Sequence, residues 1–311
     1  VNLIEFGDCR EIMRRWAMLG FKVQTCVTSP PYYGLRDYGH PGQLGLEKSP
    51  DEYVAGMVEV FRCVRDVLAD DGTLWLNLGD SYASTVKGSG GAGKSRLGPN
   101  RDLQNIGHQK FEPRRFDMQG LKPKDLIGIP WRVAFALQAD GWYLRQDIIW
   151  SKPNPMPESV TDRCTKAHEY IFMLAKKERY YYDHESVKEP SAQGSDKWGK
   201  GGARKTRGLQ GYTNASGAQR DNSGGYGTTG TRNRRSVWTV ATRPYKGAHF
   251  ATFPEALIEP CILAGAPPGG IVLDPFMGSG TTAAVAKKHG RQYLGCELNL
   301  DYGVLQQERL K

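Results

Sequence analysis

No apolar run in this 311-residue sequence approaches the ~18 residues that a membrane-spanning helix requires. The opening residues, Val1-Asn2-Leu3-Ile4-Glu5, lack the basic stretch and long apolar run of a secretory leader. The six cysteines (Cys9, Cys26, Cys63, Cys164, Cys261, Cys296) lie far apart and form no C-x-x-C pair. That argues against a zinc site and a disulfide framework, and for a reducing cytoplasm. Acids are outnumbered, 33 against 42 Lys and Arg, for a net charge of +9. With 39% hydrophobic residues the chain can still bury a core. At ~150 residues per domain, the length suggests two domains or one large domain with insertions.

The positive charge is concentrated. Between Lys197 and Arg235 nine basic residues face the single acid Asp221, and between Val86 and Phe116 seven face Asp102 and Glu112. Both stretches are rich in Gly, Ser and Asn and lack the apolar periodicity to fold alone. They read as solvated insertions, or as loops that order on a polyanion. Tyr212, Tyr226 and Trp238 interleave the second stretch, which suits stacking on bases. Six of its nine cations are Arg, the side chain that reads phosphates and guanine edges bidentately.

The rest alternates strands and helices. Strands are expected at Leu3–Phe6, Val23–Val27, Thr73–Leu78, Trp142–Trp150, Gly270–Leu273 and Gln292–Cys296. Helical spacing covers Glu11–Leu19, Asp51–Leu68, Leu126–Ala139 (with Pro130 disturbing its first turn), Pro254–Leu263, Thr281–His289 and Asp301–Leu310. Tyr170–Ala175 and Tyr180–Tyr182 read as a hairpin around Lys176–Arg179. The alternation predicts a mainly parallel sheet with helices on both faces, whose ligands bind beyond the carboxyl ends of the strands.

Two segments sit at such ends. Asp274-Pro275-Phe276-Met277-Gly278-Ser279-Gly280-Thr281-Thr282 follows a strand and opens a helix. Gly278 and Gly280 let a ligand approach backbone, and the helix start offers unpaired N–H groups. Glu297, nineteen residues beyond Gly278, can accept both hydroxyls of a ribose. This half is built for a nucleoside-containing cofactor. Thr28-Ser29-Pro30-Pro31-Tyr32 is the second segment. Two prolines stiffen it, so that the Ser29 hydroxyl and the Ser29 and Pro30 carbonyls can face a pocket as acceptors. Tyr32 can lie flat against a planar ring. Acceptors of this kind suit an exocyclic amino group.

Together these segments resemble the amino-methylating DNA methyltransferases that use S-adenosylmethionine, over most of the chain. His249–Pro254 resembles the segment over the cofactor's methionine end, and Phe6–Cys9 the strand end near its adenine. The catalytic motif precedes the cofactor loop, the permuted order of the beta class. The resemblance implies an α/β, Rossmann-like, seven-stranded, mainly parallel sheet, circularly permuted, with an inserted basic target-recognition region. Residues 1–187 (with a basic loop at 86–116) would form the catalytic part, 188–240 the recognition region and 241–311 the cofactor-binding part. The strand after Gly290 and the strand at Leu3 would be neighbours.

It further implies Ser29, Pro30, Pro31 and Tyr32 as catalytic, and Asp8, Phe250, Thr252, Asp274, Pro275, Phe276, Gly278, Gly280, Thr281, Thr282 and Glu297 as cofactor-binding. Lys152, Arg204, Lys205, Arg207, Arg232, Arg234 and Arg235 would contact double-stranded DNA, with no metal involved. Lys152 belongs to the Pro-rich loop Lys152–Pro157, which would border the pocket of a flipped base. The product is S-adenosylhomocysteine. A homodimer and a bacterial or phage restriction-modification setting, in the cytoplasm with the nucleoid, are also implied. Ser29 favours cytosine N4, because adenine enzymes of this family usually carry Asp or Asn there; adenine N6 stays open.

Four other readings compete. An RNA or protein amide methyltransferase shares the two motifs, but the permuted order and basic insert argue against it. A DNA-binding protein without activity fits poorly with an intact Ser29, Tyr32, Asp274 and Glu297. Gly88-Ser89-Gly90-Gly91-Ala92-Gly93-Lys94-Ser95 matches a phosphate-loop pattern, but neither a preceding buried strand nor a following helix is read there. Cys261, which could suggest a carbon-5 cytosine nucleophile, falls in an apolar helix and reads as a buried structural thiol.

Overall fold

The computed structural model describes residues 1–83, 117, 119–191, 231–242 and 253–311. It divides the chain into two compact units, one of Val1–Asp183 with Ser236–Lys311 and one of His184–Arg235.

The first unit is built on an eight-stranded sheet. Its strands are β1 (Asn2–Phe6), β2 (Val23–Thr28), β3 (Leu68–Leu78), β4 (Tyr143–Ser151), β5 (His168–Ala175), β8 (Val237–Thr239), β9 (Ile271–Asp274) and β10 (Gln292–Glu297). They lie in the order β1-β10-β9-β2-β3-β5-β4-β8. All neighbours are parallel except at β5, which is antiparallel to both β3 and β4. Seven strands were expected; the eighth is the three-residue β8, which adds to the open edge of β4. The two ends of the chain meet as expected, with β1 paired to β10 from Asn2↔Tyr293 to Phe6↔Glu297.

Local chemistry sets the helix starts. The Asp8 carboxylate accepts from the Arg10 amide at 2.8 Å and caps α1 (Cys9–Met18). Ser49 accepts from the Glu52 amide at 3.2 Å and caps α2 (Pro50–Val67), with Pro50 in its first turn. Met57, Val60, Phe61 and Val64 on α2 are fully buried, each stabilising the fold by about 2 kcal/mol. Helix α3 (Ile129–Ala139) starts later than its apolar spacing suggests. Gly128, at φ +78°, and Pro130 place the boundary there, and Asp80 accepts from the amides of Gly128 and Ile129. Helices α4 (Glu255–Gly265), α5 (Thr281–Lys288) and α6 (Tyr302–Leu310) complete the unit. Cys261 is buried inside α4, as its apolar surroundings suggest.

The expected hairpin at Tyr180–Tyr182 does not form. Both edges of β5 are already occupied, so no edge remains for a hairpin partner. The Tyr181 amide instead donates to Asp71 O at 2.8 Å, and the Tyr182 ring stacks on Trp75. No helix among the described residues is long and apolar enough to cross a membrane.

In the second unit, β6 (Glu189–Pro190) pairs antiparallel with β7 (Thr231–Arg232). Glu189 Oε1 accepts from Arg232 Nε and Arg235 Nε, both at 2.8 Å.

Candidate active site

Strands β9 and β2 are neighbours, but the chain leaves them in opposite directions, β9 toward β10 and β2 toward β3. That is a topological switch point, where a crevice opens beyond the strand ends. The backbone ladder between them runs through Thr25↔Val272 and Cys26↔Leu273. Past it, Thr28 Oγ1 donates to Asp274 Oδ1 at 2.6 Å. Thr282 Oγ1, in the first turn of α5, donates to Asp274 Oδ2 at 2.6 Å, and the Phe276 amide donates to Oδ1 at 3.0 Å. All three side chains, Thr28, Asp274 and Thr282, are at most 1% exposed. Burial pushes the Asp274 carboxyl up to about 6, against the opposing pull of these hydrogen bonds.

The glycine loop lies beside this knot. Gly278 (φ +52°) and Gly280 (φ +83°) take left-handed backbone, which favours glycine. The Gly278 amide donates to Glu297 Oε2 at 2.7 Å, and the Asn299 amide to Oε1 at 2.8 Å. Each carboxylate oxygen therefore keeps a lone pair for a further donor. Glu297 is 8% exposed, and burial raises its carboxyl above the usual range. Gln306 Nε2 donates to Gly278 O at 2.7 Å, and Arg309 Nη1 reaches Ser279 Oγ at 3.0 Å and also Thr281 Oγ1, so α6 braces the loop. The Gly7 amide donates to Glu297 O at 2.8 Å, which sets Asp8 beside the same strand end. Arg10 holds the Asp8 carboxylate through Nε at 3.0 Å and Nη2 at 2.6 Å, and keeps its pKa below the usual value.

Tyr32 anchors the other loop. Its hydroxyl lies 2.7 Å from Glu169 Oε2 and 3.1 Å from Asn77 Oδ1, and Ser29 Oγ donates to it at 3.4 Å. Burial, then the Glu169 charge, raises the phenol well above its ordinary range. The ring packs on Gly79 so closely that a β-carbon there would sit 2.5 Å from Tyr32 Cε2. Asn77 Nδ2 donates to Tyr170 O at 3.0 Å and to Glu169 Oε2 at 3.3 Å. Tyr53 donates to Pro31 O at 2.8 Å, which fixes the Pro-Pro turn on α2.

The structure brings Ser29, Pro30, Pro31 and Tyr32 to the same end of the sheet as Asp274, Pro275, Phe276, Gly278, Gly280, Thr281, Thr282, Glu297 and Asp8. Three of the expected site residues are held by the protein itself. Asp274 and Thr282, expected to bind cofactor, are buried and bonded to the protein itself. Lys152, expected to contact DNA from a loop beside the flipped-base pocket, has its side chain 17% exposed, pairs with Glu169 and lies 4.3 Å over the Trp150 ring. Its charge is neutralised by Glu169. Arg232, Arg234 and Arg235 belong to the second unit, while Phe250, Thr252, Arg204, Lys205, Arg207 and the segment 88–95 lie outside the described residues.

Sequence reasoning missed Asn77, Gly79, Glu169, Gln306 and Arg309. A signal existed for two of them: Asn77 interrupts the apolar run Thr73–Leu78, and Glu169 stands at the head of the apolar strand β5. A buried polar group in such a run needs a partner, and these two find each other.

The comparisons with known proteins fit this geometry. A family model described as DNA methylase, covering N6 and N4 methyltransferases, matches residues 23–307. The chain belongs to this family of DNA methylases. Among its relatives, the Type II methyltransferase M.SmaI of Serratia marcescens is 48% identical, over 98% of this chain and 89% of that protein. The Type II methyltransferase M.Cfr9I of Citrobacter freundii is 47% identical, over 98% and 86%. Among solved structures, the cytosine-N4-specific PvuII DNA methyltransferase superposes with a TM-score of 0.62 at 18% identity, over 100% of this chain and 86% of that one. The M1.HpyAVI–SAM complex gives 0.54 at 17% identity, over 100% of both chains. These two support the fold. The methylase is thus an enzyme of DNA modification, and the RNA, protein-amide and non-catalytic readings fall away.

Proposed function

We propose that this methylase moves a methyl group from S-adenosylmethionine to the N4 amino group of a cytosine within a defined site in double-stranded DNA. The Thr28–Asp274 contact carries the reading, because it joins an amine-accepting loop to a nucleoside-binding loop. The donor set fits the cofactor. Glu297 keeps one lone pair on each oxygen for the two ribose hydroxyls, and Gly278 lets the ligand approach the loop backbone. Asp8 would face the adenine, and Phe276, half-buried at the loop, offers an apolar surface. Phe250 and Thr252 are assigned to the methionine end by resemblance. Bound there, S-adenosylmethionine supplies an electrophilic methyl on sulfur.

The chain's own part is to orient the amine. The Ser29 proton points to the Tyr32 oxygen, so the lone pairs of Ser29 are left to accept from the amino group. The Pro30 carbonyl would accept its second hydrogen. Glu169, held by Lys152 and Asn77, fixes the Tyr32 hydroxyl and with it the ring against which the flipped base would lie. Preorganised acceptors of this kind need no covalent intermediate.

Residues 188–240 would read the DNA, with Arg204, Lys205, Arg207, Arg232, Arg234 and Arg235 as phosphate or base contacts. A homodimer acting on DNA in the cytoplasm, in a restriction-modification setting, completes the reading.

The test is incubation of the full chain with plasmid DNA and S-adenosylmethionine, followed by nucleoside analysis by mass spectrometry. N4-methylcytosine is expected. N6-methyladenine would move the assignment to the other base, and no modified nucleoside would overturn it.

A further inference from the structure

Asp274 opens the glycine loop, yet its carboxylate is 1% exposed and both its oxygens already accept hydrogen bonds from the protein. No solvent-borne ligand reaches it without displacing Thr28, Thr282 or the Phe276 amide. Each loop is tied to its outer neighbour by a ladder that continues to the strand end. Strand β2 pairs with β3 through Thr28↔Leu76, and β9 pairs with β10 through Gly295↔Asp274. Between β2 and β9 the ladder stops at Cys26↔Leu273. The side-chain bridge takes over at that place. Thr282 adds a second tie, its hydroxyl lying 3.5 Å from Val27 O on β2.

We infer that Asp274 is a positioning residue, which with Thr28 and Thr282 latches the amine-accepting loop to the cofactor loop and sets the distance over which the methyl group travels. This rests on the methyltransferase reading above. A displacement of about 1 Å between reacting groups can lower a rate about 10²-fold. Losing one buried latch bond therefore acts on the chemical step more than on cofactor affinity.

The experiment uses the full chain and measures S-adenosylmethionine affinity and site number by calorimetry, with single-turnover methyl transfer to plasmid DNA expressed per cofactor site. Expressing the rate per site removes any loss of folded protein. Thr28→Val should slow transfer at least about tenfold while leaving the cofactor Kd within about threefold. Thr28→Ser, which restores the hydroxyl, should recover most of that loss. Asp274→Asn is the second arm. An amide at this position can accept from Thr28 and donate to Thr282, whose hydroxyl turns to Val27 O. Its cofactor Kd should therefore stay within about threefold, whereas loss of a charge contact to the cofactor's ammonium would weaken binding tenfold or more.

A Thr28→Val rate equal to wild type, with wild type active, overturns the latch alone. So does an Asp274→Asn variant that loses cofactor affinity while Thr28→Val does not slow transfer. A wild-type chain that binds S-adenosylmethionine and methylates no DNA overturns the functional reading, and the latch with it.

Discussion

The Tyr32 hydroxyl donates to Glu169 Oε2 at 2.7 Å, across 137 positions of sequence. The bond fixes the rotation of the ring against which, in the proposed function, the flipped base lies. Tyr32→Phe removes it while keeping the ring. It should lower single-turnover methyl transfer about tenfold with an unchanged calorimetric Kd for S-adenosylmethionine, because hydrogen bonds to charged groups are worth about 1.5–3 kcal/mol. Tyr32→Ala should lose most transfer. Glu169→Gln should follow Tyr32→Phe, and equal rates for both variants and wild type would remove Glu169 from the site.

Gly79→Ala places a β-carbon 2.5 Å from the Tyr32 ring, so the ring must move. A drop in kcat of tenfold or more is expected, with a loss of about 1–3 kcal/mol in urea-measured stability from overpacking. A wild-type kcat in a folded Gly79→Ala protein would show that the ring position does not matter for transfer.

Glu297→Ala should raise the cofactor Kd at least tenfold, about 1.4 kcal/mol, with the DNA Kd little changed. Glu297→Gln should also weaken binding. Its amide nitrogen cannot accept from one of the two amides, Gly278 or Asn299, that the carboxylate now holds. Isothermal titration of both variants is the measurement.

Stability should depend on pH through Asp274. Its carboxyl is raised from 3.8 in the free state to about 6 in the fold, chiefly by burial. The folded state thus holds the proton more tightly. The contribution is full below about pH 4 and is lost as pH rises through about 6, on the order of 3 kcal/mol in all. Urea titrations should show wild type losing stability relative to Asp274→Asn across that window. Parallel pH curves for the two proteins would contradict the assigned shift.

Binding to DNA should fall steeply with salt. If the basic segments meet about six phosphates, affinity should drop about 10³-fold between 50 and 200 mM salt. Filter binding on a nonspecific duplex measures the slope. A flat response would place the two basic segments off the DNA.

The folding pattern was legible where local chemistry decides it. The strand–glycine–helix passage at Asp274–Thr282 and the buried stripe of α2 both follow from neighbouring residues. The meeting of β1 and β10 was implied by the resemblance to the permuted methyltransferase family. The hairpin at Tyr180–Tyr182 could not be judged locally, because the occupied edges of β5 belong to β3 and β4.

What the sequence determined by itself is the repertoire of parts: a glycine loop at Asp274–Thr282 with Glu297 beyond it, a Pro-stiffened loop at Ser29–Tyr32, and two basic segments. The tertiary structure decided what those parts touch. It turned Asp274 inward to Thr28, paired Lys152 with Glu169, and set Glu169 under Tyr32. Each of those contacts depends on which strands lie side by side and in what register. Strand order and register come from the packing of the whole sheet, and no short stretch of residues carries them.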